Sequence, residues 1–149
     1  MEDWSIIQEF PNYSISRDGV VRNNKTGHIL KSHINKQVRY LQIRLTRDEG
    51  KHWCYIHRLL ALAYIPNPEN KEFVDHINRD RLDNRLENLR WATWSENNSN
   101  MPLRKDNLLR ERNINKHARG GYNVSLHSNQ IRKYFKTLVE AIAFRDAHK

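Results

Sequence analysis

Cysteine is nearly missing from this chain of 149 residues: Cys54 is the sole example. No intrachain disulfide can form, and no thiolate zinc cluster can be built. Cys54 lies in "HWCYIHRLLALAY", where apolar residues alternate and then take helical spacing. It therefore reads as a small core residue, with no motif around it for a reactive thiol. Long apolar runs are missing too, and with them any candidate membrane-spanning helix; no basic amphipathic stretch dominates either. No membrane partner is expected. The opening "MEDWSIIQEF" is acidic and lacks the basic-then-apolar order of a signal peptide, so a cytoplasmic location is expected. The sequence contains no internal repeat and no low-complexity tract. Hydrophobic residues make up only 38%, with a mean hydropathy of −0.91. That excludes a large multilayered enzyme and leaves one compact domain, or two or three small modules that gain order from a partner, metal or ligand.

Acidic residues are scarce as well: 17 Asp and Glu stand against 26 Lys and Arg, giving a net charge of +9. The basic excess is spread along the chain and not confined to a tail. Such a field attracts polyanions, of which nucleic acid is the commonest.

Pattern divides the chain into four stretches. Residues 1–56 read as a β-rich module: "YSISRDGVVRN" places an Asp-Gly turn between two strands, "RYLQIRL" alternates, and "HWCYIHR" adds a further strand. Its cations include Arg39 and Arg44, which suit either a solvated face or contact with phosphates. Residues 57–101 open with a short helix, "IHRLLALAYIP", stopped by Pro66 and Pro68. His57 and Arg58 sit at its start, where His57 either packs or meets phosphate. A strand ending at Asp75 and His76 follows, then the polar loop "NRDRLDNRLENL", a returning strand in "RWAT", and a helix capped by Thr93 or Ser95. Residues 102–117, with Arg104 and Lys105, read as a basic linker. Residues 118–149 read as two strands joined by an "SNQ" turn and a helix with a capping box at Thr137 and Glu140. The expected fold class is α+β.

The chemistry concentrates between Glu72 and Asn100, in "EFVDHINRDRLDNRLENLRWATWSENNSN". If the two strands pair and the helix packs back across them, Asp75 can approach Asn97. Oxygen donors of this kind suit a hard cation such as Mg2+, with Mn2+ as a substitute, and disfavour zinc. His76 follows Asp75, and an imidazole, with an ordinary pKa of about 6.5, is available near neutral pH to take a proton from water. Each of these residues also has a plainer reading as a strand end, a turn or a cap; order and spacing together favour a site.

"VDHINRDRLDNRLENLRWATWSENNSN" resembles the HNH motif of the ββα-metal nucleases, in particular the HNH homing endonucleases of bacteriophages in which Asn replaces the last His. The resemblance implies a general base at His76, metal ligands at Asp75 and Asn97, and a middle Asn at Asn88 that braces the loop and helps to orient the His. Asn98 is the alternative ligand should the helix register shift by one. Residues up to "IHRLLALAYIPNPENK" resemble the N-terminal module that often precedes this motif. "GGYNVSLHSNQIRKYFKTLVEAIAFRDAHK" resembles the three-stranded sheet plus helix of Apetala-type DNA-binding units, which implies contacts from Tyr122, Arg132 and Lys133, and which needs a first strand from Arg110 to His117. The implied function is metal-dependent hydrolysis of duplex DNA to 5′-phosphate and 3′-hydroxyl ends, as a nick by a monomer or a double-strand break by a dimer. If the gene is carried by a phage, the setting is the bacterial cytoplasm. The alternative is a non-catalytic DNA-binding protein, either a repressor or a decayed nuclease.

Overall fold

Asp18 and Gly19 form the turn of a hairpin between β2 (Tyr13–Ser16) and β3 (Val21–Asn23) in the computed structural model, which describes residues 3–48, 50–103, 107, 109–126 and 130–148. Gly19 adopts φ +79°, the left-handed region that a glycine enters without steric cost. Strands β1 (Trp4–Ile6) and β4 (Ile29–Leu30) extend the hairpin to an antiparallel sheet in the order β1-β2-β3-β4. A second antiparallel sheet joins β5 (His33–Ile34), β6 (Leu41–Arg47) and β7 (Gly50–Tyr55). Alternation along β6 sends Ile43 and Leu45 into the core and Arg44 to solvent, as a period of two requires. Arg44 pairs in register with Trp53 and Gln42 with Tyr55, so these four share the outer face of the sheet.

Helix α1 (Ile56–Tyr64) follows β7 without a gap and ends where Pro66 makes continuation impossible. Its inner residues Ile56, Leu59 and Leu60 pack with Ile7, Phe10, Tyr13, Ile15, Val21, Ile43, Leu45 and Leu89 in one core. That core draws on both sheets, on α1 and on the strand beyond it, so Ile56 marks no boundary between modules. The Tyr64 hydroxyl accepts from the Ser5 N–H at 3.1 Å and donates to the Ile15 carbonyl at 2.7 Å, fastening the helix end to the first sheet. Cys54 is half-buried against this core, and burial pushes its thiol pKa up.

The next stretch is strand, loop, strand, helix: β8 (Phe73–His76), β9 (Leu89–Ala92) and α2 (Trp94–Asn100), with the two strands antiparallel. The Trp91 indole donates to the Ile65 carbonyl at 2.9 Å, which ties β9 to the end of α1. Thr93 caps α2 through a full capping box with Glu96. These elements, up to Met101, form one compact unit, and Pro102–Lys149 forms another.

The second unit is a three-stranded antiparallel sheet of β10 (Ile114–Lys116), β11 (Tyr122–Leu126) and β12 (Ile131–Phe135), with α3 (Leu138–Asp146) on one face. Strand β10 falls inside residues 102–117, read as a basic linker, and within the Arg110 to His117 stretch from which a first strand was needed. Its core is Ile114, Val124, Leu126 and Ala141. Thr137 and Glu140 form the expected capping box of α3. Among the described residues, no helix is long and apolar enough to cross a membrane.

Candidate active site

Asp75 and His76 are the last two residues of β8, and both side chains are buried, at 6% and 4% exposure. A strand alternates its side chains, but one that ends can bring two neighbours to the same end of a hairpin. Asp75 stands opposite Arg90 in the register, and His76 opposite Leu89. The Arg90 guanidinium donates to Asp75 Oδ2 from Nε at 3.0 Å and from Nη2 at 2.8 Å.

The helix brings an asparagine to this pair, at Asn100 instead of the expected Asn97. Asn100 Nδ2 lies 3.0 Å from each Asp75 carboxylate oxygen and 2.8 Å from the His76 carbonyl, and donates to them. Asn97 is one turn earlier on the same helical face. It is half-buried and makes no side-chain hydrogen bond among the described residues. The contact to Asp75 thus belongs to Asn100, while Asn97 keeps its carboxamide oxygen uncommitted.

His76 is held by a residue that sequence reading missed. Its Nε2 is 2.9 Å from Asn84 Oδ1. An amide oxygen can only accept, so Nε2 is the donor in this contact. Asn88 was expected to brace the loop and help to orient the His ring; its side chain does the bracing, and Asn84 makes the direct contact to the ring. Asn88 is buried; its Nδ2 donates to Asn78 Oδ1 at 3.0 Å and to the Asp83 carbonyl at 2.7 Å, and its Oδ1 accepts from the Asn78 N–H at 3.0 Å. It braces the loop that carries Asn84. Further side chains stand in for backbone pairing along this loop: Asn78 Oδ1 accepts from the Asp80 N–H, and Asp80 Oδ1 from the Leu82 N–H. The Arg85 guanidinium beside Asp83 holds its carboxyl well below the usual carboxylate range. The asparagine-rich stretch is therefore a built loop.

The remaining predicted residues divide. Arg39 is exposed in the turn before β6, with φ +56°, and Arg44 is exposed on the outer face of the second sheet, 5.9 Å from the Trp53 ring centre. Arg58 is exposed, but its guanidinium donates to the Glu72 carbonyl at 2.8 Å and lies over Trp91. His57 is only 8% exposed and packs, its ring 5.0 Å from that of His76. Arg104 and Lys105 lie outside the described residues, as do Ser128 and Asn129 of the expected turn. In the second unit, Arg132 pairs with Ser125 on the face away from α3. Lys133 pairs with buried Val124 and lies 4.8 Å from the Phe144 ring, on the helix side, and Tyr122 packs into the core on that side. The face away from the helix shows Asn115, Asn123, Ser125, Arg132 and Tyr134.

Among the described residues no group of three or more His, Cys, Asp or Glu gathers to hold a metal. Asp75 supplies one carboxylate, which already has the Arg90 guanidinium and the Asn100 amide nitrogen against it. An oxygen donor of this kind is one that a hard divalent cation keeping most of its own water can take.

A ββα unit with Asp-His at the end of its first strand, an Asn-braced loop and an Asn-bearing helix is the arrangement that the HNH pattern describes. Residues 54–99 match the HNH endonuclease family, and residues 2–46 match the NUMOD4 motif. The chain is 44% identical over 94 residues to the HNH endonuclease L247 of Acanthamoeba polyphaga mimivirus, covering 61% of this chain and 23% of that protein. It is 31% identical over 103 residues to the DNA endonuclease I-HmuI of Bacillus phage SP01, covering 68% of this chain and 59% of the relative. The chain thus spans less than two thirds of either relative. A solved structure of DNA binding and cleavage by the HNH homing endonuclease I-HmuI shares the fold, with a TM-score of 0.60 at 23% identity over 95% of this chain and 82% of the other.

Proposed function

We propose that this protein is a metal-dependent DNA endonuclease of the HNH homing type. The observation that carries the reading is His76, buried beside Asp75 and tethered through Nε2 to Asn84. His76 Nδ1 takes a proton from a water molecule, whose oxygen attacks phosphorus in line; the bond from phosphorus to the 3′ oxygen breaks, and that oxygen recovers a proton. The products are a 5′-phosphate and a 3′-hydroxyl. A divalent cation, Mg2+ with Mn2+ as substitute, would be held by Asp75 and the Asn97 oxygen and would supply neutralisation of charge at the scissile phosphate. With one such site per chain, a monomer nicks and a dimer cuts both strands. The relative I-HmuI, a DNA endonuclease of a Bacillus phage, supports action on DNA; the setting proposed is the bacterial cytoplasm.

Two surfaces suit the DNA. The outer face of the second sheet carries Gln42, Arg44, Trp53 and Tyr55, and Tyr55 leads through Tyr40 to His76 by ring contacts of 5.5 and 5.8 Å. The second unit, similar in outline to an Apetala-type unit, offers the face of Asn115, Asn123, Arg132 and Tyr134 to base edges and phosphates.

The test is supercoiled plasmid incubated with wild type and with His76→Ala, each with Mg2+ and with EDTA. Open-circular or linear product that requires both His76 and the metal is expected. Tight duplex binding without cleavage by wild type, on DNA from the genome that carries the gene, would replace the reading with a non-catalytic DNA-binding protein.

A further inference from the structure

The reading above uses Asp75 and His76 and leaves open why a second histidine is buried beside them. His57 is the second residue of α1, whose other inward side chains are Ile56, Leu59, Leu60 and Ala61. Its Nδ1 is sealed from solvent and has no hydrogen-bond partner among the described residues. A polar atom buried without a partner is costly, and a larger apolar side chain would avoid that cost. The ring is nonetheless placed against the catalytic one. It makes an edge contact with His76 at 5.0 Å and 60°, and it lies 4.7 Å from Tyr40 and 5.6 Å from Tyr55. Tyr40 lies nearly parallel to His76, at 5.8 Å and 28°. The Arg81 guanidinium covers Tyr40 at 5.0 Å and is itself tied to the Val38 carbonyl at 2.9 Å.

We propose that His57 is a positioning residue for the general base: with Tyr40 it walls the His76 imidazole, so that the ring tethered at Nε2 by Asn84 has a single orientation. This inference rests on the reading of His76 as the base. A tether at one ring atom leaves rotation about that contact, and two aromatic walls from α1 and from the turn before β6 remove it. Burial first, then the neighbouring His76 and Arg58, lower the His57 pKa to about 3, so the wall is uncharged at neutral pH. A neutral ring adds no positive charge beside a base that must itself accept a proton.

Two readouts test the wall in the full chain: kcat and KM on duplex DNA, and the tautomer and line width of His76 in 15N–1H spectra of histidine-labelled protein. His57→Ala is expected to lower kcat by about 10- to 100-fold with KM nearly unchanged, and to replace the single Nε2–H tautomer of His76 with exchanging forms. His57→Phe is expected to restore most of the rate and the single tautomer. Tyr40→Leu, at a half-buried position, tests the same wall should His57→Ala not fold, and is expected to lower kcat likewise. Unchanged kcat and tautomer in the folded alanine or Tyr40 variant would overturn the proposal. So would a phenylalanine variant as slow as the alanine one, since the imidazole nitrogen and not the wall would then be needed. An inactive wild type would sink the nuclease reading instead, while the spectra still decide whether the wall fixes His76.

Discussion

A buried imidazole makes stability respond to acid at a pH where most carboxylates are still ionised. The pKa of His57 is about 3 in the folded chain against 6.5 ordinarily, so folding favours its neutral form. Its contribution is complete above pH 6.5 and is lost as pH falls from 6.5 towards 3. Glu96 and Glu140, both lowered, contribute above the usual carboxylate range and lose their effect only below about 4.5, in the same direction. Between those windows the slope from His57 is about 1.4 kcal/mol per pH unit. Denaturant midpoints at pH 7, 6 and 5 should fall more steeply for wild type than for His57→Phe, and parallel slopes would refute the assignment. At this scale the place of Asp75 and His76 at a strand end was legible, because apolar Phe73 and Val74 lead into them. Asn84 was not: Asn78, Asn84 and Asn88 share one loop, and only its folded path decides which amide reaches the imidazole.

Helix α2 is seven residues long and carries Asn100 at its last position, so its first turn matters more than its length implies. Thr93 Oγ1 accepts from the Glu96 N–H at 3.2 Å, and the Glu96 carboxylate accepts from the Thr93 N–H at 2.7 Å and from Lys71 Nζ at 3.0 Å. Thr93→Ala should cost about 1 kcal/mol of stability and slow cleavage by loosening Asn100 from Asp75, while Thr93→Ser should behave as wild type. Thermal unfolding and nicking rates check both, and an alanine variant as stable and as fast as the serine variant would refute the role of the cap. The capping box of α3 was readable in advance, because it is a local pattern of hydroxyl and acid three residues apart, whereas for α2 the sequence left Thr93 and Ser95 as alternatives. The choice between Asn97 and Asn100 was not, since residues three apart on a helix point the same way and reach is set by the strand behind them. The same limit applies to β12. Alternation says that Arg132 and Lys133 face oppositely, but only the packing of Phe144 shows that Lys133 is the one turned towards the helix.

At the scale of the molecule, the two units have separate cores. A chain ending at Met101 should fold and nick plasmid with reduced site preference. Its affinity for duplex DNA should also fall less steeply with salt than that of the full chain, because fewer phosphates are neutralised. Equal salt slopes and equal preference would show that the second unit does not touch DNA. The division at Met101 was partly readable from the basic, polar stretch after Pro102, whereas the union of residues 3–56 with the nuclease segment was not, since it depends on distant side chains meeting in one core. Gly19 shows what that union entails. A Cβ there would meet Ile56 Cγ2 at 2.9 Å, and the residue after Ile56 is His57. The first hairpin is thus a footing for the start of α1: another hairpin put in its place is expected to need a glycine at its turn, or to push Ile56, and His57 after it, out of position.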